Sequence, residues 1–137
     1  MPSITSYINP NARHNVILSP HEIDGVHYVD VGRDLSSALQ GKAHNPNLPS
    51  FAENAINKII SGNIQTDSDV RYVAIKNIGI LFEPQLALNL SMFFRSNSQN
   101  QTLIVCAEGT INNNQFAFCG NEDFTVDLSD LNIQRIN

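Results

Sequence analysis

Apolar residues along this chain gather in short runs of two kinds, and the spacing of each kind predicts a different element. His14–Ser19 (HNVILS) and Val26–Val31 (VHYVDV) are brief, β-branched runs that read as strands. Arg71–Glu83 (RYVAIKNIGILFE) is the strongest such run. Tyr72–Ile75 with Ile78, Ile80, Leu81 and Phe82 leave no polar face, which predicts a central strand covered on both sides and then a sharp exit. Thr102–Ala107 (TLIVCA) predicts a second strand of that type. Phe116–Cys119 and Phe124–Leu128 predict an antiparallel C-terminal section.

Helical spacing separates these runs. Ser19-Pro20-His21-Glu22 has the order of a helix start, with Ser as N-cap, Pro at the first position and Glu at the third, and Gly25 stops it after one turn. Leu35, Ala38 and Leu39 predict a short helix over Asp34–Gln40 that ends near Gly41. Lys42–Pro49 predicts a loop. Ser50 and Glu53 then form a capping box ahead of one apolar stripe, Ala52, Ala55, Ile56, Ile59 and Ile60, closed by Gly62 at the C′ position. After Pro84, Leu86 and Leu88 alternate like an extended segment. Asn89 caps a last helix to about Ser96, with Leu90, Phe93 and Phe94 facing inward. Met1–Arg13 lacks periodicity and reads as a flexible N-terminal arm. Strands alternating with helices predict one α/β domain over residues 14–137: a three-layer, P-loop-like or Rossmann-like fold with a mixed sheet and an antiparallel C-terminal hairpin.

Composition adds exclusions. A chain of 137 residues fits one domain with a real core. Only 15% of residues are charged, so neutral polar groups, 18 asparagines among them, must solvate the surface. The net charge is −5 and the eight Lys and Arg are scattered singles, which disfavours direct nucleic-acid binding. No apolar run is long enough to cross a bilayer. Residues 1–7 have no basic start or apolar core of a signal peptide. Two cysteines in that context predict reduced thiols and a cytoplasmic location.

Candidate chemistry is sparse. Nucleotide-binding folds end the central strand in acids that hold Mg²⁺ and water, but Lys76, Asn77 and Gly79 stand here. No Gly-x-x-x-x-Gly-Lys-Ser/Thr loop precedes them. A residual anion site formed by Lys76 with Ser19 and the backbone to Glu22 is the one cofactor-type candidate. Its bland counterpart is a Lys76 that ends a strand and reaches solvent or a neighbouring carboxylate. His21, Glu22, Asp24, His27 and Asp30 match no zinc spacing, and no metal is expected. His44 sits in a proline-rich loop, and Glu83 and Glu108 read as strand-end carboxylates. An Asn112-Asn113 hairpin turn would set Cys106 opposite Cys119, where either a redox disulfide or two small packed thiols would fit.

Four segments taken in order carry a family resemblance: VDVGRDLSSAL after a strand, the amphipathic helix, IKNIGILFEPQLALNL, and SQNQTLIVCAEG. From about Val26 to Leu131 the chain resembles the small P-loop proteins (BrxF) of BREX-type bacterial phage-defence systems. In those proteins the third segment has an Asp-Asn-Ile-Glu strand and the fourth a Ser-Arg-Asn. Here Lys76 replaces the Mg²⁺-shell acid, Gly79 the water-orienting acid, and Gln99 the arginine. The phosphate loop and its helix shrink to Pro20–Gly25. The resemblance implies a degenerate P-loop-like scaffold with no catalytic residue and no cofactor. It would serve as an accessory subunit contacting larger protein partners in a defence system, with self-association also compatible. Asn-rich loops and exposed apolar residues near Phe93–Arg95 would make the contacts. The alternative is a nucleotide-binding sensor or weak NTPase with an altered phosphate site.

Overall fold

A computed structural model describes residue 8, residues 13–67 and residues 69–136. The expected N-terminal arm, residues 1–13, lies outside the described residues except for Ile8 and Arg13. The elements run β1 (Asn15–Ser19), β2 (Tyr28–Asp30), α1 (Val31–Ala38), α2 (Leu48–Ser61), β3 (Gln65–Asp67) and β4 (Val70–Lys76). Two 3₁₀ turns follow (Ile78–Phe82 and Pro84–Leu86), then α3 (Leu90–Asn97), β5 (Thr102–Cys106), β6 (Gly109–Asn112), β7 (Gln115–Phe118), β8 (Thr125–Asp127) and β9 (Asn132–Arg135). The class is α/β. The main sheet has the order β2-β4-β5-β1-β9, all parallel, and β3 pairs antiparallel with the first half of β4, which makes the sheet mixed. β6, β7 and β8 form a separate antiparallel sheet.

Strand alternation divides the apolar residues between two faces. Val16, Leu18, Val73, Ile75, Leu103 and Val105 share one core with residues of α1, α2, α3, the first 3₁₀ turn and the small sheet. Ile17, Tyr72, Ala74 and Ile104 face the other way, against Ile8, Ile23, Val26 and Ile136. Every connection that steps from β2 toward β9 therefore packs on the first face. The one return step, residues 20–27 from β1 to β2, packs on the second. A uniform crossover hand demands that division. Among the described residues, no helix is long and apolar enough to cross a membrane.

Several boundaries differ from expectation, each for a local reason. Residues 20–25 form no helix. The Ser19 hydroxyl accepts from His21 N at 3.3 Å and donates to His21 O at 2.6 Å, closing a turn instead. Two strand tyrosines hold the connection: Ile23 N, a donor the helix would have used, donates to the Tyr28 hydroxyl (3.0 Å), and His27 N donates to the Tyr72 hydroxyl (3.1 Å). The helix predicted from Asp34 starts at Val31, because Asp30 Oδ1 accepts from Arg33 N at 2.9 Å and caps three residues earlier. α2 starts at Leu48 with Asn47 at the cap, so Ser50 and Glu53 lie inside the first turns and make no capping box. Gly62 ends α2 at φ −80°, not in the left-handed conformation of a C′ glycine.

The central run does not stay extended to Phe82. Asn77 adopts φ +57°, a conformation asparagine tolerates, and the chain turns into a 3₁₀ segment that buries Ile78, Leu81 and Phe82. The expected extended segment after Pro84 begins as a second 3₁₀ turn. The hairpin turn is Asn113-Asn114, with φ +53° and +62°, one residue later than expected. The apolar run ends at Cys106 in the main sheet and a new strand begins at Gly109 in the small one, while Cys119 follows β7, so the two are not cross-strand partners; both are free thiols. β9, a short polar strand, had no signal in the sequence reading.

Candidate functional site

Parallel strands bring their carboxyl ends to one rim, where open α/β sheets hold ligands. Register places Asp30 beside Lys76, Lys76 beside Cys106 and Cys106 beside Ser19, one residue from each of four adjacent strands. Alternation turns Lys76 and Cys106 to the face of Ala74 and Ile104, beneath the 20–27 connection. That connection supplies Glu22, whose Oε1 lies 3.4 Å from Lys76 Nζ.

Each polar group in the row has an internal partner or is held neutral. Lys76 pairs with Glu22 in a half-exposed ion pair. Asp30 caps α1 and also accepts from Asn77 Nδ2 at 2.9 Å, and the two hydrogen bonds hold its carboxyl below the usual carboxylate range. Ser19 is buried and its hydroxyl is spent on the turn at His21. Burial pushes the Cys106 thiol up, the Glu22 charge adds to that, and Lys76 offsets part of it, so the thiol stays protonated at neutral pH.

The sequence-predicted pair, Lys76 and Ser19, is therefore not brought together. β5 lies between them, two strand spacings or about 10 Å. The cavity beside Ser19 and Pro20 holds about 20 Å³, the room of roughly one water. Of the histidine–acid set, Glu22 joins Lys76 and Asp30 caps α1. Among the described residues no three His, Cys, Asp or Glu side chains converge to hold a metal.

Sequence reasoning missed the parts that close the row. Tyr28 and Tyr72 read as strand apolar residues, yet their hydroxyls pin the connection over the rim. Burial, offset by the hydrogen bond from Ile23 N and raised further by Cys106, Glu22 and Tyr72, pushes the Tyr28 phenol up to about 12. Tyr28 should accordingly ionise late. The folded state prefers the neutral phenol, so its contribution to stability is intact below the unfolded value near 10. That contribution is lost as pH climbs through about 12. Ultraviolet phenolate titration of wild type and Tyr28→Phe checks this; a late component of unchanged amplitude in the variant would contradict it.

A second region lies on the helical side. Phe93 and Phe94 face inward from α3, as the helical spacing predicts, and are buried at 9% and 0%. Met92 beside them is 62% exposed. Two cavities, of about 370 and 310 Å³, flank Ala87–Asn89 next to it.

No protein-family model matches this chain, and no curated protein or solved structure matches it.

Proposed function

We propose that the protein is a non-catalytic accessory subunit. It keeps a P-loop-like α/β scaffold and acts by docking onto larger protein partners in a bacterial anti-phage system. The observation that supports this most is the strand-end row, where the groups available to a phosphate are already engaged. Lys76 is neutralised by Glu22, Ser19 by its own turn, and Asp30 by the cap of α1. Phosphoryl transfer needs the opposite arrangement, with backbone donors, a free lysine and a metal-holding acid converging on one point. Residues 20–27 occupy the place of the phosphate loop and its helix, and the amides of His21, Ile23, Val26 and His27 are spent on internal acceptors. The defence setting rests on the ordered resemblance over Val26 to Leu131.

A thermal-shift titration with ATP, GTP and Mg²⁺ tests the reading, on wild type and Lys76→Ala. A native-state site with Kd near ~50 µM would add about 2.7 kcal/mol at ~5 mM ligand, a rise of roughly 8 °C. The expected result is a flat midpoint. A concentration-dependent rise that Lys76→Ala removes would replace this reading with the nucleotide-sensor one. In the host, deletion is expected to abolish phage restriction while Lys76→Ala leaves it intact.

A further inference from the structure

The two cavities on the helical side adjoin through a shared wall, Ala87–Asn89. One lies between α2 and α3, with Ile56 and Phe93 in its lining and Met92 exposed beside them. The other runs along the first 3₁₀ turn to the small sheet, over Leu81 and Phe82. Together they make one trough with mixed walls, in which Ile56 and Phe93 supply apolar surface on one side and Leu81 and Phe82 on the other. Among the described residues, Met92 and Phe51 are the large apolar side chains left exposed.

Two observations describe what would fill it. Every charged residue lining the trough is acidic: Glu53 on one side, Glu83 and Asp123 on the other, with no Lys or Arg in either wall. The dividing wall also has free backbone. Leu88 follows a left-handed Ala87 (φ +49°), is half-buried, and its N–H and C=O have no hydrogen-bond partner among the described residues. An extended peptide satisfies such groups by backbone pairing.

We propose that this trough is the docking surface and that its occupant is an extended basic–apolar segment of a partner protein. Lysine or arginine heads meet Glu53, Glu83 and Asp123, aliphatic or aromatic side chains cover Ile56 and Phe93, and the segment's backbone pairs with Leu88. The assignment rests on the docking reading above and names its surface and the partner's chemistry. A second copy of this chain fits poorly. Each copy carries −5, and several of its cations are committed: Arg33 to Asp34, Lys76 to Glu22, Lys42 over the Phe51 ring at 4.6 Å.

Selection of a random dodecapeptide display library on the full-length protein tests this. The counter-target is the Glu53→Lys/Glu83→Lys/Asp123→Lys variant; Asp24→Lys/Asp34→Lys/Glu108→Lys gives the same charge change away from the trough. All three trough acids are exposed, so the variant should fold, which its melting curve checks. Wild type is expected to enrich peptides that interleave Lys or Arg with Leu, Ile, Phe or Met. Affinity for those peptides should fall about tenfold or more in the trough variant and change little in the control. Equal loss in both variants, enrichment without basic residues, or no enrichment over the counter-target would overturn the proposal. So would concentration-dependent dimerisation abolished only by the trough variant. These failures leave the docking reading standing if the nucleotide titration is flat, whereas a nucleotide-dependent shift lost in Lys76→Ala would remove the docking reading itself.

Discussion

Phe94→Ala is expected to destabilise the protein by about 3–5 kcal/mol, the range for emptying a fully buried phenyl site. Phe94 has no exposed surface and, among the described residues, is the largest side chain so enclosed. It projects from α3 into the core that joins the helices to β1, β4 and β5. Alanine would remove the ring's transfer energy and leave a void the surrounding strands cannot close, because their positions are fixed by register to neighbours on both sides. A domain of this size has roughly 5–15 kcal/mol to lose. A midpoint drop of about 10 °C or more in thermal unfolding, with a matching shift in urea, is the expected reading. Met92→Ala, on the same helix and 62% exposed, should change stability by less than about 0.5 kcal/mol. Similar losses for the two variants would mean that α3 is not seated as described.

The contrast between Phe94 and its neighbours also shows where sequence reasoning worked. Helix α3 was readable because its signals are local: Asn89 Oδ1 accepts from Met92 N at 3.1 Å, and Leu90, Phe93 and Phe94 repeat at helical spacing. The stripe of α2 was readable for the same reason, and Ala52, Ile56 and Ile60 are buried. Caps were less secure wherever two polar residues competed. Asp30 outcompeted the later start at Asp34, and α2 begins at Leu48 with Pro49 in its first turn and no side-chain cap from Asn47. The end of β4 carried a signal that the apolar run concealed: Ile78, Leu81 and Phe82 have i, i+3, i+4 spacing, and Asn77 is suited to the left-handed step before them.

Long-range pairing was not legible at all. Neither the place of β9 beside β1 nor that of Cys106 between Lys76 and Ser19 follows from the residues nearby. The candidate site inherits this limit. Lys76 and Ser19 could each be located at a strand end from local pattern. Whether they meet depends on strand order, which inserts β5 between them. Glu22 reaches Lys76 only because residues 20–27 cross the second face, a consequence of crossover hand rather than of any motif.

Gly109→Val is expected to cost about 3 kcal/mol, the upper part of the range for overfilling a packed site. Gly109 opens β6 opposite Phe118, and its bare Cα lets the Phe116 ring and the Ala117 carbonyl close over it. A Cβ there would stand about 2.5 Å from Phe116 Cε1 and nearer still to the Ala117 oxygen. Neither can move freely, since Phe116 is 2% exposed in the main core and Ala117 pairs with both Thr110 and Thr125. The strain should therefore open the β6–β7 ladder. It should also reach β9, whose Arg135 Nη2 donates to the Gly109 carbonyl at 3.2 Å. Hydrogen exchange should show lost protection in β6, β7 and β9 with β4 and β5 still protected. Gly79→Ala is the matched control. Its added Cβ would lie 3.6 Å from Phe118, ordinary contact distance, and the unfolded chain would lose freedom, so that variant should be neutral or gain up to about 1 kcal/mol. If the two glycine variants behaved alike, the small sheet would not be packed against the core through Phe116.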